Sequence, residues 1–311
     1  MSVVASRRAI GEKQFEALRV SIGFFPYVRL RSGIPFRTRH SPSVISVNST
    51  NRLRVYPVWD AGVRAFHWIN VLCMLGLIAS GVVILNDKAL GITNDGKILL
   101  KSTHVWIGYV FALNLAFRLV WSFIGSPHAR WREILPAGRG YAGALRRYVA
   151  AFRSGDARPY LGHNPLGRIA VTLMLALLLA QALTGLVLAG TDLFYPPFGA
   201  FMAEWVAAPG VDPNLVVPYA PALYDADAYA AMREFRGPVV KIHYYVFYAL
   251  LFFASLHIVA VVVTELRGGG NLVSAMFTGR KILVPPLADA TPAGAPTESQ
   301  PSEKPQRAEI H

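Results

Sequence analysis

The segment Val239-Val-Lys-Ile-His243-Tyr-Tyr-Val-Phe-Tyr-Ala-Leu-Leu-Phe-Phe-Ala-Ser-Leu-His257-Ile-Val-Ala-Val-Val-Val-Thr264 is apolar almost throughout, yet it carries two histidines. They are fourteen residues apart, almost four whole helical turns, so both rings leave the same face of a helix. At about 1.5 Å rise per residue they lie roughly 21 Å apart along its axis. A histidine inside lipid is expensive, and such residues mark functional sites. Two on one face, one per leaflet, point to a stack of two metal centres crossing a bilayer.

Composition supports a membrane setting. Hydrophobic residues make up 53% and charged residues 16% of the chain, with a mean hydropathy of +0.37, outside the range of an ordinary soluble domain. Four stretches have the length a spanning helix needs, about 17–25 residues. They run approximately from Val63 to Leu85, Val105 to Ile124, Ile169 to Ala189 and Val239 to Thr264. The third has no charge at all, Gln181 being its most polar member.

Loop charge sets the expected orientation. Between Ser122 and Pro165 stand Arg130, Arg132, Arg139, Arg146, Arg147, Arg153 and Arg158 against Glu133 and Asp156. Between Gly190 and Pro238 the balance reverses: Asp192, Glu204, Asp212, Asp225, Asp227 and Glu234 stand against Arg233 and Arg236. Arg52 and Arg54 precede the first span, and Arg267, Arg280 and Lys281 follow the fourth. These asymmetries predict a multi-pass protein of the bacterial inner membrane, with both termini and the Arg-rich loop cytoplasmic. The acidic loop then faces outward, where it either steers a basic partner or simply caps the bundle. Topology and lipid headgroups account for the net charge of +13, and nucleic acid is not needed.

The single cysteine, Cys73, excludes an internal disulfide, and without a C-x-x-C-H motif there is no covalent haem attachment. An iron–sulfur cluster, which usually needs four thiolates, is not expected either. Residues 1–55 are basic and serine-containing but lack an apolar core for a secretory signal. A transit-like leader, a disordered cytoplasmic tail and translation from an upstream start codon all remain open. Residues 56–284 form the expected membrane domain, and 285–311, rich in Pro, Ala, Glu and Ser, read as a disordered tail.

Two more histidines lie in spans. His67 is near the cytoplasmic end of the first and His104 at the outer end of the second, which runs back inward. The fourth span also runs inward, so depth pairs His104 with His243 and His67 with His257. Each pair brings two imidazoles to one level, as bis-axial ligation of a haem iron requires. Gly81, fourteen residues after His67, and Gly108, one turn after His104, leave gaps suited to a flat macrocycle, although glycines are common at membrane helix contacts. Arg118 is fourteen residues after His104, at the inner level. It either faces an inner haem propionate or snorkels to the cytoplasmic interface. Histidines that merely bond neighbouring helices or line a proton path are the duller alternative. His40, His128, His163 and His311 read as solvated loop or tail residues.

With these residues in view the chain resembles the bacterial cytochrome b561 family, which includes the b-type cytochrome subunits of nickel–iron hydrogenases. The matching pieces are Val58-Trp59-Asp60 with Arg64 and His67-Trp68, then His104 with Gly108, and Phe117-Arg118-Leu-Val-Trp121-Ser-Phe-Ile-Gly125-Ser followed by Ala129-Arg130. Further along come Gly162-His163-Asn164-Pro165-Leu-Gly167, Ala182-Leu-Thr184-Gly185, His243, His257 and Asn271-Leu-Val-Ser-Ala-Met276-Phe-Thr-Gly279-Arg280-Lys281. The family often has an acidic or similar polar residue after the first histidine of its fourth helix, where this chain has Tyr244.

The resemblance implies an all-α membrane protein, a four-transmembrane-helix bundle holding two haems b, with ligands matching His67, His104, His243 and His257. It also implies a role: an electron-transfer subunit of an oxidoreductase complex, passing electrons between a periplasmic redox partner (a hydrogenase or c-type cytochrome) and membrane quinone. Two other functions remain open, a self-sufficient oxidoreductase acting on a small molecule such as superoxide and a histidine-lined proton channel or transporter.

Overall fold

Asp60 begins the membrane bundle. Its carboxylate accepts a hydrogen bond from Val63 N at 2.8 Å, the N-cap arrangement that satisfies an otherwise orphaned donor of a first helical turn. From there α1 (Ala61–Leu85) runs the length of a span. Thr93 caps α2 (Asn94–Ile124) in the same way, and Asn164 caps α5 (Pro165–Leu193), which has proline at its first position. The fourth long helix is α7 (Ala226–Leu266). All four are long and apolar enough to cross a membrane. The computed structural model describes residues 53–266, 271–284 and 287–289, all within one compact unit, Asn48–His311.

Shorter elements join the spans. Between α2 and α5 lie α3 (Trp131–Ile134) and the amphipathic α4 (Tyr141–Ser154). Between α5 and α7 lies α6 (Gly199–Val206), and after α7 comes α8 (Leu272–Thr278). Strands β1 (Arg54–Pro57) and β2 (Arg280–Leu283) pair antiparallel, Arg54 opposite Leu283 and Pro57 opposite Arg280. The expected boundary after residue 55 therefore falls inside a strand.

Two helices run well beyond the apolar stretches that predicted them. Helix α2 starts eleven residues before Val105, at Asn94, because Thr93 caps it and Lys97 and Lys101 find Asp87 and Asp192 at 3.2 and 2.9 Å. Helix α7 continues through Pro238, thirteen residues before Val239 at Ala226. Proline removes one backbone donor, and the turns before it are held by Met232, fully buried in a second cluster with Met202, Ala203, Val206 and Val216. Part of the acidic loop is thus a folded cap. Asp192, counted among its acids, is paired with both Lys101 and Arg236.

Helix α1 packs along α2 and α5 along α7, and α2 against α5 joins the pairs. Phe66, Cys73, Phe111, Leu115, Leu175, Leu178, Ala182 and Leu250 form the shared core. Outward, Leu72, Leu113 and Phe123 stay exposed, as befits side chains whose solvent is hydrocarbon.

The end that loop charge assigns to the cytoplasm is tied more tightly than its loops predict. Asp60 also accepts from Trp121 Nε1 and Ser126 N, each at 3.1 Å. Gly62 permits this approach, since a Cβ there would sit 2.7 Å from the Trp121 ring. Trp68 Nε1 donates to Met276 O at 3.1 Å, and Arg64 donates to Phe277 O. Lys281, expected as a loop cation, is only 4% exposed. It donates to the carbonyls of Tyr160, Leu161 and Gly162 at 3.3, 2.8 and 3.3 Å. Within the stretch read as a disordered tail, Leu287 is buried, and Asp289 accepts from Leu161 N and Gly162 N at 2.7 and 3.0 Å. Residues 1–52, 285–286 and 290–311 of the two tails lie outside the described residues.

Burial pushes the Asp60 carboxyl up, but hydrogen bonds from Ser126, Val63 and Trp121 more than reverse this, holding it below the usual value of 3.8. The stability it contributes is complete above that value and is lost as pH falls through the lowered one. Asp60→Ala removes a cap and leaves Trp121 and Ser126 unpaired, an expected loss of about 2–4 kcal/mol. Unfolding in detergent from neutral to acid pH checks both the loss and the flattening of the acid limb.

Candidate functional site

At one level of the bundle, α1 supplies Ser80 and Gly81, α2 supplies His104 and Gly108, α5 supplies Gln181, Thr184 and Gly185, and α7 supplies His243. The Ser80 hydroxyl lies 2.7 Å from the Gly76 carbonyl of its own helix and 2.8 Å from His104 Nδ1. Thr184 repeats this on α5, 2.7 Å from the Ala180 carbonyl and 2.9 Å from His243 Nδ1. Across the ring, His243 Nε2 accepts from the Gln181 amide at 3.0 Å. Gln181 Oε1 is buried with no partner.

The glycines sit where close approach is needed. A Cβ on Gly81 would lie 3.6 Å from His104 Cε1, and one on Gly185 would lie 3.3 Å from His243 Cε1. Gly108 has open space where its Cβ would be. His104 and His243 lie near enough that a charge on one ring would be felt at the other, so the structure brings these two together. At the other level His67 and His257 are neighbours in the same sense. His67 Nδ1 is buried without a hydrogen-bond partner, and its ring meets Trp68 edge-on at 5.1 Å.

Arg118 does not turn its head group to solvent. It is 4% exposed, donates through Nη1 to Ser122 Oγ and to Ala129 O, and lies 5.9 Å from the Phe66 ring centre. His163, expected as a solvated loop residue, is instead enclosed. Its ring lies 4.8 Å from that of Trp59 and its Nδ1 is buried without a partner. Burial, then the nearby charges of Lys281 and Arg118, push its pKa down to about 3. His128 is half-buried, its ring 6.4 Å from Trp59. His40 and His311 lie outside the described residues.

Ser80, Gln181, Thr184 and Gly185 were not among the residues the sequence singled out as ligands or gaps. The signal was nonetheless there: a hydroxyl or amide in a span has to find a partner inside the protein, and Ser80 adjoins Gly81. Phe247 and the exposed Tyr244, Tyr245 and Phe252 of α7 form ring contacts among themselves or with neighbouring aromatics on the same helix.

Four candidate spans with histidines brought together at two levels define a membrane protein of the b-type cytochrome kind. The chain belongs to the prokaryotic cytochrome b561 family, whose model matches residues 58–279, and it is therefore a haem-b electron-transfer protein of the membrane. Among its relatives is a protein of Rhizobium leguminosarum named as a probable Ni/Fe-hydrogenase B-type cytochrome subunit, 27% identical over 74% of this chain and 90% of its own. Proteins of the same name from Cupriavidus necator and Rhodobacter capsulatus are 24% and 25% identical, over 75% and 74% of this chain and 90% and 82% of theirs. No solved structure matches the chain.

The residues present fit haem b. Imidazoles with hydroxyls at Nδ1 would offer Nε2 to a metal, and Gly81 and Gly108 leave the space a side chain would fill. At His243 that nitrogen is the one the Gln181 amide now contacts, so Gln181 would have to give way to a metal. Since a Cβ at Gly81 only reaches ordinary contact with His104, Gly81→Ala is expected to keep the haem content of the purified protein. Gly81→Leu must push the His104 ring, at about 1–3 kcal/mol of overpacking, and is expected to lower that content in a haemochrome assay.

Proposed function

We propose that this chain is an integral-membrane dihaem cytochrome b carrying electrons between a redox partner at the outer face and membrane quinone. In this role it is the electron-transfer subunit of an oxidoreductase complex. The observation that carries the proposal is the meeting of His104 with His243 at one level of the bundle and of His67 with His257 at the other. Both pairs draw one histidine from α7, fourteen residues apart, so the two levels are roughly 21 Å apart, a spacing suited to a two-step path through the hydrocarbon.

Haem b, when bound, supplies one-electron chemistry. The protein's part is to hold, orient and bury. His104 and His243 would hold the outer haem, with Gly81 and Gly108 giving it room, and His67 and His257 the cytoplasmic one. Arg118 commits Nη1 to Ser122 and Ala129 and keeps its remaining donors for a propionate of the inner haem.

Orientation rests on loop charge. Seven arginines between Ser122 and Pro165 favour a cytoplasmic position for that segment and both termini in a bacterial inner membrane. In this reading residues 56–284 are the cytochrome domain, and 1–55 and 285–311 are tails. The partner is a hydrogenase, as the names of the relatives suggest, or else a c-type cytochrome, with membrane lipid and quinone as the other contacts.

The visible spectrum and haem content of detergent-purified protein test this first. Two haems per chain with sharp reduced bands of low-spin b type are expected, and His67→Ala and His243→Ala are each expected to leave one. A colourless wild-type protein overturns the proposal. A protein with two haems that no nickel–iron hydrogenase reduces removes that partner and leaves the cytochrome.

A further inference from the structure

The hydroxyl contacts at the outer level bear on where the ring protons would sit once a metal is held. A metal at Nε2 leaves the proton on Nδ1, so His104 Nδ1 would donate to Ser80 Oγ at 2.8 Å. The Ser80 proton would then go to Gly76 O, 2.7 Å away, since a carbonyl can only accept. Thr184 is placed identically: His243 Nδ1 would donate to Thr184 Oγ1 at 2.9 Å, and the Thr184 proton would go to Ala180 O at 2.7 Å. The inner level differs, because His67 Nδ1 is buried with no hydrogen-bond partner.

A hydrogen bond donated from the far nitrogen of an axial imidazole raises the basicity of the ligating nitrogen. A more basic ligand favours the oxidised metal, because ferric iron carries one more positive charge than ferrous, and so lowers the reduction potential. We propose that Ser80 and Thr184 are positioning residues that set the outer haem below the inner one in reduction potential, by accepting the Nδ1 protons of His104 and His243. This inference rests on the dihaem reading above. The hydroxyls belong to α1 and α5 while the histidines belong to α2 and α7, so each bond also locks a ring against rotation from a neighbouring helix. Net hydrogen-bond strength puts the effect of each on the order of tenfold in the oxidation–reduction equilibrium, which is about 59 mV for a one-electron couple.

The test is a redox titration of the full chain followed by visible absorbance, with the outer component identified as the one that His243→Ala removes. In Ser80→Ala and Thr184→Val the outer component is expected to move up by roughly tenfold in its equilibrium while the inner one stays, and Thr184→Ser is expected to restore the original value. The ferric electron paramagnetic resonance signal of the outer centre is expected to shift in the same two variants. Variants that keep both haems and move neither component, or move both equally, overturn the proposal. If Thr184→Val sheds its haem, Ser80→Ala reads the same centre from the opposite ligand. If both shed it, the hydroxyls hold the ligands without tuning them and the proposal fails. A wild-type protein with fewer than two haems overturns the dihaem reading instead, and shows it before any variant is made.

Discussion

Inside hydrocarbon a polar side chain has no water to fall back on, so each one in these spans must be satisfied by another part of the bundle. Much of the architecture follows from that requirement. Ser80 and Thr184 lie within hydrogen-bond distance of carbonyls of their own helices and of ring nitrogens on neighbouring helices. Asn114, buried in α2, donates to the Phe66 carbonyl of α1 at 3.0 Å. Arg118 turns to Ser122 and to the chain just beyond its own helix at Ala129. Lipid gives apolar side chains no reason to prefer one another over a lipid tail. Directional bonds of this kind therefore do much to set helix register, which in turn decides which histidines face which.

This explains which features were legible in the sequence. The spans could be read from composition, because hydrocarbon selects for it directly. The depth of each histidine could be read from spacing, because a helix converts residue number into height with little freedom. Helix ends were misjudged where the deciding partner was remote. The start of α2 depends on Thr93, Asp87 and Asp192, and the extension of α7 before Val239 depends on Met232, which is buried against other elements. The second residues of the outer level, Ser80 and Thr184, needed knowledge of which helices are neighbours, and spacing within one helix does not supply it.

Charge counting reached its limit in a similar way. Lys281 enters a positive-inside tally with full weight, yet it is buried against three carbonyls and the Trp59 ring. Burial there pushes its pKa down to about 8, against the opposing pull of Asp289. Its role is to bind the segment after α8 to the segment before α5. Asp192, likewise, belongs less to an acidic outer surface than to a three-charge junction of α2, α5 and α7. What remains of that loop's acidity is carried by exposed residues such as Glu204, Asp227 and Glu234.

In the dihaem reading proposed above, the asymmetry between the two histidine levels matters because a membrane potential acts on any electron that moves between them. A unit charge crossing a whole bilayer at 100 mV works with or against about 2.3 kcal/mol. The two levels are separated by roughly 21 Å of a hydrocarbon core of about 30 Å, so roughly two-thirds of that field, about 1.5 kcal/mol, falls between them. With the interior negative, an electron passing from the outer level to the inner one moves against it, at a cost of roughly a factor of ten in equilibrium. One hydrogen bond to an axial imidazole is worth about as much. A lower outer potential set by two such bonds, from Ser80 and Thr184, would therefore have the sign to offset the field and leave inward transfer favoured by roughly tenfold in an energised membrane. The same two hydroxyls would oppose flow in the opposite direction, more strongly when the membrane is discharged.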